Sequence, residues 1–195
     1  MQAILTPEFF EQSAIKVAKN LLGKFLVRRW RGKEIALMIT DVEAYHGFED
    51  KASHAARGLT LRNKIMFGKA GYWYVYFIYG THWMLNIVTG KKGTPSAVLI
   101  RGVKGFNGPA KLTKALHIDK SFNEKLANKK TSLWIEDREL KEINLHGRIC
   151  IAEVRRLADE GAPFACIKKG PRIGVDYAGP VWSKKHWRFY LEDCQ

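Results

Sequence analysis

The segment from Glu34 to Tyr45 is the feature that most constrains the fold of this 195-residue chain. It follows a short turn and an apolar run from Lys24 to Trp30, so the two segments are predicted to form a β-hairpin. The second strand is apolar on both faces, which is typical of a strand buried at the centre of a sheet. Since side chains alternate along a strand, one face is expected to carry Ile35, Leu37, Ile39, Asp41, Glu43 and Tyr45. Two carboxylates would then extend an apolar row at the end of a buried strand.

Shorter elements indicate a mixed architecture. Apolar residues at helical spacing predict a helix from Ala14 to Leu22, with Ser13 as its cap and Gly23 as its stop, and Gly108-Pro109 is expected to open another helix. Further strands are predicted at Tyr72–Tyr79, Trp83–Val88, Ala97–Val103, near Trp134, and at Trp187–Leu191. No repeat or linker divides the chain. We therefore expect an α+β fold, a single domain over residues 1–195 with a central, largely antiparallel curved β-sheet and flanking helices.

Acidic residues are missing from a long stretch after the central strand. Between Lys51 and Ile118 there is no Asp or Glu, but there are 11 Lys or Arg residues. The whole chain contains 33 Lys and Arg residues but only 19 Asp and Glu residues, which gives a net charge of +14. This excess favours a polyanionic partner, with nucleic acid ahead of an anionic membrane. No apolar run reaches the length of a spanning helix and the start lacks a signal-peptide pattern, so we expect a cytoplasmic protein.

The chain shows no pattern of a metal or cofactor site. Its three cysteines, Cys150, Cys166 and Cys194, have no paired spacing, and no second His or Cys lies at ligand spacing from His54. We expect buried, unreactive thiols, and neither a metal ion nor a cofactor.

Glu43 can be interpreted as a structural or a catalytic carboxylate. For a Glu near a strand end, a bond to backbone or Arg is the more common role. Here Tyr45 shares its face and the acid-free basic stretch begins just after it, which favours a catalytic carboxylate. Arg101 follows a buried apolar run and needs an anion, for which Glu43 is the natural candidate. We interpret Asp41 as structural. His54 follows in the next loop, where it could position a water.

The strand from Tyr72 to Tyr79 is unusually aromatic. Aromatic strands usually belong to the core of a sheet, and half or more of these residues are expected to do so. Tyrosine nevertheless dominates where Val or Leu would suffice for packing. Tyr79 also precedes Gly80, and an aromatic ring projecting from such a turn can wedge between base pairs.

Together these pieces resemble the alkyladenine, or 3-methyladenine, DNA glycosylases, a monofunctional family. The matching pieces occur in family order: Glu43-Ala44-Tyr45, Asp50 through His54, Arg62-Asn63, Met66-Phe67, Tyr74-Val75-Tyr76-Phe77-Ile78-Tyr79-Gly80, Asn86-Ile87, Leu99-Ile100-Arg101, Gly108-Pro109-Ala110-Lys111-Leu112, Asp137-Arg138, Pro171-Arg172-Ile173-Gly174 and Trp187-Arg188-Phe189-Tyr190. The chain departs from the family pattern between residues 147 and 169, an irregular passage, and at Ala178-Gly179-Pro180.

The resemblance implies a role for each candidate residue. The expected catalytic residues are Glu43, His54 and Arg101; the base-binding residues are Tyr45, Tyr76 and Asn86; the intercalating residue is Tyr79; the other DNA contacts are Arg62, Lys64, Met66 and Lys111. Glu43 would act as general base on a water that attacks C1′ of a flipped nucleotide, with His54 and Arg101 holding that water. Tyr45 and Tyr76, with His54, would sandwich the base. A protruding β-hairpin is expected to bind the DNA.

The implied reaction is hydrolysis of the N-glycosidic bond of alkylated or deaminated purines after base flipping, leaving an abasic site. The implied substrates are 3-methyladenine, 7-methylguanine, hypoxanthine and ethenoadenine. No lysine is placed as a Schiff-base nucleophile, so no lyase activity is expected. The expected partner is double-stranded DNA with damaged purines, bound by a monomer that needs no protein partner and, in a bacterium, is associated with the nucleoid.

Two other classes of function stay open. A non-catalytic nucleic-acid-binding module would use Tyr76 and Tyr79 as stacking platforms and would release no base. A scaffold whose basic face meets an acidic protein would show no preference for DNA that contains a lesion.

Overall fold

The computed structural model of the protein describes residues 3–138, 140–145, 148–153 and 165–193. Over these residues the strands are β1 (Ala3–Ile4), β2 (Phe25–Trp30), β3 (Lys33–His46), β4 (Trp73–Ile78), β5 (His82–Val88), β6 (Ser96–Val103), β7 (Phe106–Asn107), β8 (Leu133–Asp137), β9 (Leu140–Leu145), β10 (Arg148–Glu153), β11 (Ala165–Gly170) and β12 (Arg188–Asp193). The α-helices are α1 (Pro7–Phe10), α2 (Ala14–Leu21), α3 (Pro109–Ala115) and α4 (Gly179–Ser183). Short 3₁₀ helices cover His54–Arg57, Lys64–Phe67, Lys120–Phe122, Lys129–Thr131 and Asp176–Ala178.

In the described part of the chain, the strands form one sheet of 12 members in which each pairing is antiparallel. The main path runs β1-β8-β2-β3-β12-β11-β10-β9, and β6 joins β3 to the hairpin of β4 and β5. The predicted α+β class with a largely antiparallel sheet is confirmed. The strand β3 is central, as predicted, because β2, β6 and β12 all pair with it.

A β-bulge divides β3 into two halves that bury opposite alternations of side chains. The register between β3 and β6 shifts between Ile39 and Asp41 and again between Asp41 and Val42. As a result Ile39, Val42 and Ala44 all lie in the same buried core cluster. The predicted face shared by Ile39 and Glu43 is therefore wrong, because the extra residue turns Asp41, Glu43 and Tyr45 away from the core that Ile39 enters.

The helix α2 covers this core on one side. Its buried residues follow the predicted helical period, and the Ser13 hydroxyl accepts a hydrogen bond from the Lys16 amide at 3.4 Å, as expected of an N-cap. Fully buried side chains of β4, β5 and β6 complete the core, among them Trp73, Ile87 and Ile100. This packed body holds the second half of β3 and the hairpin in fixed positions.

The hairpin of β4 and β5 ends in a tight turn. Tyr79 and Gly80 both have positive φ, 51° and 66°, and the Thr81 amide donates to the Ile78 carbonyl at 3.1 Å. Positive φ at both central residues defines a type I′ turn, which matches the twist of the paired strands. Tyr79 is 89% exposed at the tip. The contact of this tip with DNA stays a prediction.

The C-terminal third corrects one expectation. The strands β10 and β11 cover part of the passage of residues 147–169 in which the sequence departs from the family pattern, and residues 147 and 154–164 of that passage lie outside the described residues. Cys166 is disulfide-bonded, so the expectation of free thiols is wrong for this residue. Among the described residues, no helix is both long and apolar enough to cross a membrane.

Candidate active site

A groove of about 1040 Å³ runs past the end of β3, where β4, β6 and the segment after β11 converge. Glu43 and Arg101 lie in its wall, and Tyr79 lies at its edge. A second, narrow cavity of about 40 Å³ adjoins the groove. The residues that line both cavities, and so frame the mouth between them, are Tyr45, Ser53, His54, Tyr76 and Tyr177.

Glu43 is fully buried, and each of its carboxylate oxygens is held by a different donor. The Ile173 amide donates to Oε1 at 2.9 Å, and the Tyr45 hydroxyl donates to Oε2 at 2.9 Å. Arg101 Nη1 lies 3.4 Å from Oε1, the ion pair that the sequence predicted. Burial raises the pKa of Glu43, while Arg101 and then the two hydrogen bonds oppose that rise. The carboxylate is thus desolvated and fixed, yet it borders the groove.

Asp41 is bound in a different way. Arg188 donates to it through Nη2 at 2.8 Å and through Nε at 3.0 Å. Arg101 Nε is also 3.8 Å from Asp41, so this guanidinium lies between the two carboxylates. Burial raises the pKa of Asp41, and the bond to Arg188 opposes the rise. Since two Arg side chains surround it, the geometry agrees with the structural interpretation of Asp41.

His54 begins a short 3₁₀ helix at the mouth of the narrow cavity. Its Nδ1 and the Tyr74 hydroxyl share a hydrogen bond of 2.9 Å, and its ring lies 4.7 Å from the Tyr76 ring. Burial, followed by the nearby Arg62 and Arg57, lowers the pKa of His54 to about 4. The imidazole is therefore neutral near pH 7 and can contact a base or a water, but it is not a proton donor at that pH.

The candidate base-binding residues lie together around the narrow cavity. Burial, strengthened by the Glu43 charge, raises the pKa of Tyr45 well above its usual value, and burial also raises that of Tyr76, so both phenols stay protonated. Asn86 is buried, and its amide nitrogen donates to the Tyr74 carbonyl at 3.1 Å. The arrangement provides aromatic faces at the mouth and an amide inside.

The candidate DNA contacts are more scattered. Arg62 lines the groove and donates to the Phe77 carbonyl at 3.1 Å, and Lys111 is exposed on α3, whose first residues line the groove. Lys64 instead lies 3.4 Å from Glu124. Met66 is buried and lines the narrow cavity, so the structure does not place it on the exposed surface. The DNA contacts of all four residues stay predictions.

A buried ion pair that the sequence analysis did not single out connects the loop after β3 to the segment after β11. Arg172 donates to the two oxygens of Asp50 at 2.6 and 2.8 Å, and to the Ala44 carbonyl at 2.9 Å. Its guanidinium lies 4.8 Å from the Tyr45 ring. Arg172 directly precedes Ile173, whose amide donates to Glu43. The ion pair with Asp50 therefore holds in place the segment that carries this donor. The motifs around Arg172 and Asp50 were both visible in the sequence, but the pairing of these two residues was not.

Tyr177 is a further residue that the sequence analysis did not single out. Its hydroxyl donates to the Ala52 carbonyl at 2.9 Å, which joins the segment after β11 to the loop before His54. Its ring borders both cavities. Among the described residues, no group of three or more His, Cys, Asp or Glu side chains could hold a metal ion.

Comparison with known proteins relates the whole chain to one family. A family model described as methylpurine-DNA glycosylase matches residues 8–106 and 104–195. The chain is 41% identical over 200 aligned residues to a protein of Legionella pneumophila (strain Paris), covering 99% of this chain and 96% of the relative. It is 38% identical over 187 residues to a protein of Methanocella arvoryzae, covering 96% and 92%. It is 40% identical over 195 residues to a protein of Anaeromyxobacter sp. (strain Fw109-5), covering 96% and 89%. Each of these relatives carries the name "Putative 3-methyladenine DNA glycosylase".

Proposed function

The chain belongs to the methylpurine-DNA glycosylase family, and on this premise we propose that it excises alkylated and deaminated purines from duplex DNA. Residues 1–195 would act as one glycosylase domain that hydrolyses the N-glycosidic bond and leaves an abasic site. The substrates would be 3-methyladenine, 7-methylguanine, hypoxanthine and ethenoadenine, each flipped out of the helix before cleavage.

The observation that carries this proposal is the position of Glu43. It is a fully buried carboxylate that borders the groove, immediately beside an aromatic cavity. A base held at the mouth between Tyr45 and Tyr76 would bring its sugar C1′ near the carboxylate. Glu43 could then take a proton from a water as that water attacks C1′, and its charge would stabilise the oxocarbenium-like sugar. Arg101 is close enough to orient the same water.

The aromatic mouth suits bases that leave easily. Alkylation at N3 or N7 gives the purine a positive charge, which favours contact with electron-rich rings and departure without an added proton. A neutral base such as hypoxanthine needs a proton, and His54 is not charged near neutral pH because its pKa is lowered to about 4. We therefore propose that solvent supplies the proton for neutral bases.

Water rather than an amine is the proposed nucleophile. Glu43 is contacted by Arg101, the Ile173 amide and Tyr45, and Lys51 lines the groove as an exposed residue. Since none of these contacts within the described residues is a lysine amine, no Schiff base with C1′ is expected. Borohydride should therefore trap no covalent complex between the protein and lesion DNA.

The test uses a duplex with a single hypoxanthine, treated with the protein and then with alkali. Strand cleavage is expected for the wild type, while Glu43→Gln should bind the duplex but lose activity by about 100-fold or more, as for other lost general bases. The matched control is Glu34→Gln, because Glu34 is exposed on the same strand and pairs with Arg29. Full activity of Glu43→Gln would contradict the mechanism. Binding without base release from any lesion would favour a non-catalytic module.

A further inference from the structure

We propose that the loop of residues 58–63 is a second apolar contact with duplex DNA, made by Leu61 and Leu59 beside the hairpin tip. The inference rests on the proposed function, because it takes a lesion-bearing duplex as the partner. It adds Leu59 and Leu61, two side chains to which neither the sequence pattern nor the family assignment gave a role.

Large apolar side chains are exposed around one groove. Among the described residues, the exposed large hydrophobic side chains are Phe48, Leu59, Leu61, Phe77, Tyr79, Phe106, Ile173, Tyr177 and Val181. Four of these line the groove, namely Phe77, Tyr79, Ile173 and Tyr177, and the two leucines flank Thr60, which also lines it. Single exposed apolar residues are ordinary, but a cluster at one groove marks a binding surface.

The backbone of the loop that carries the leucines is fixed by hydrogen bonds to the side chain of Asn63. Asn63 is buried; its side-chain nitrogen donates to the carbonyls of Gly58 at 2.8 Å and His54 at 3.0 Å. Its side-chain oxygen accepts from the Thr60 amide at 2.7 Å. On this fixed backbone, Leu61 is 91% exposed to solvent and Leu59 is 67% exposed. Because the backbone of this loop is already ordered, its conformational entropy is not lost on binding.

The loop and the hairpin form one edge of the groove. Arg62 follows Leu61 directly, and its Nη2 donates to the Phe77 carbonyl on β4 at 3.1 Å. The same guanidinium lies 5.0 Å from the Tyr76 ring. Leu61 therefore lies in a loop that is bonded to β4, the strand that directly precedes Tyr79, and we expect both side chains to reach one stretch of duplex.

The positive charge around the loop indicates which kind of partner binds there. Lys51, Arg57 and Arg62 are exposed and line the groove, and no Asp or Glu occurs between residues 51 and 118. A surface that is cationic and also presents apolar wedges matches duplex DNA, which offers phosphates beside sugars and stacked base edges. Leu61 would pack against the step next to the extruded nucleotide and help to keep the helix open while Tyr79 fills the vacancy.

The test compares Leu61→Ser and the double variant Leu59→Ser/Leu61→Ser with Val181→Ser. Val181 is the matched control, since it is 67% exposed on α4 and does not line the groove. We expect the double variant to weaken binding of a fully paired lesion duplex by about 10-fold and Val181→Ser by less than about twofold, from the lost apolar contact. The salt dependence of binding should not change, because no phosphate contact is removed. Excision should fall less when the lesion lies opposite an abasic site, where opening the helix costs less.

Two results would overturn the inference. One is a double variant that matches the wild type in duplex affinity and in excision from the fully paired lesion. The other is a change in self-association, measured by sedimentation, with unaltered DNA binding, which would make the loop a contact between copies of the chain. If the wild type released no base at all, the proposed function would fail, but the duplex affinities of the same variants would still decide whether the loop contacts DNA.

Discussion

Glu43 shows how far a single residue can be interpreted from sequence. Its position at the end of a buried strand and its pairing with Arg101 were predicted, because an Arg that follows an apolar run needs an anion nearby. The face on which it lies was predicted wrongly. The alternation of side chains is reversed by the bulge between Ile39 and Val42, and a bulge has no fixed sequence signature. The site therefore depends on one extra residue in the backbone.

Ionised Glu43 should reduce the stability of the fold. Burial raises its pKa in the folded protein above the unfolded value, so the folded state binds the proton more tightly. The destabilisation is absent below the unfolded pKa, near 4.5, and grows as the pH rises through the folded pKa. Glu43→Gln is therefore expected to stabilise the protein at pH 7.5 by about 1 kcal/mol, or about 2–4 °C in melting temperature.

Glutamine keeps the hydrogen bonds of the site in this variant. Its oxygen can accept from the Ile173 amide, and its nitrogen can donate to the Tyr45 hydroxyl, which then acts as the acceptor. The difference in melting temperature between variant and wild type should shrink when the comparison is repeated near pH 4.5. If the variant were less stable than the wild type at pH 7.5, the ion pair with Arg101 would stabilise ionised Glu43 by more than burial destabilises it.

At the scale of elements, the site forms where two distant segments meet. The helix α2, the hairpin of β2 and β3 and the turn at Tyr79 were predictable, because each follows from local period, caps or turn residues. The pairing of Asp50 with Arg172 was not, since the two residues are 122 positions apart and no local pattern relates them. The strand β11 is the element that brings Arg172 and Ile173 to the end of β3.

Asp50→Asn is expected to destabilise the protein by about 3–5 kcal/mol, because it leaves the guanidinium of Arg172 buried without a counter-charge. Excision should also fall, since the Ile173 amide would no longer be held against Glu43. Urea unfolding and single-turnover excision measure the two effects. The matched control is Asp137→Asn in the partly exposed pair with Lys24, which should cost less than about 1 kcal/mol.

The double variant Asp50→Asn/Arg172→Met separates stability from positioning. Removing both charges should recover part of the lost stability, because no unpaired buried charge remains. Excision should stay low, since neither residue then anchors the segment that holds Glu43. Recovery of excision together with stability would mean that the pair contributes only to the fold.

For the whole molecule, the sequence predicted a basic surface but could not show which side chains form it. Lys51, Arg57 and Arg62 do line one groove. Lys64, from the same acid-free stretch, lies 3.4 Å from Glu124, which follows that stretch in the chain. A run without acids along the sequence is therefore not a continuous surface, because folding brings acidic residues from other segments alongside it.

Salt should weaken DNA binding steeply, as expected for a chain of net charge +14 that contacts phosphates. The logarithm of the affinity for a lesion duplex is expected to fall linearly with the logarithm of the salt concentration. If Lys111 contacts a phosphate from its exposed position on α3, Lys111→Ala should reduce that slope by about 1. Lys33→Ala is the control, because Lys33 is an exposed lysine at the opposite end of β3 from Glu43 and should leave the slope unchanged. Equal slopes for wild type and Lys111→Ala would remove Lys111 from the DNA interface and place the phosphate contacts nearer the groove itself.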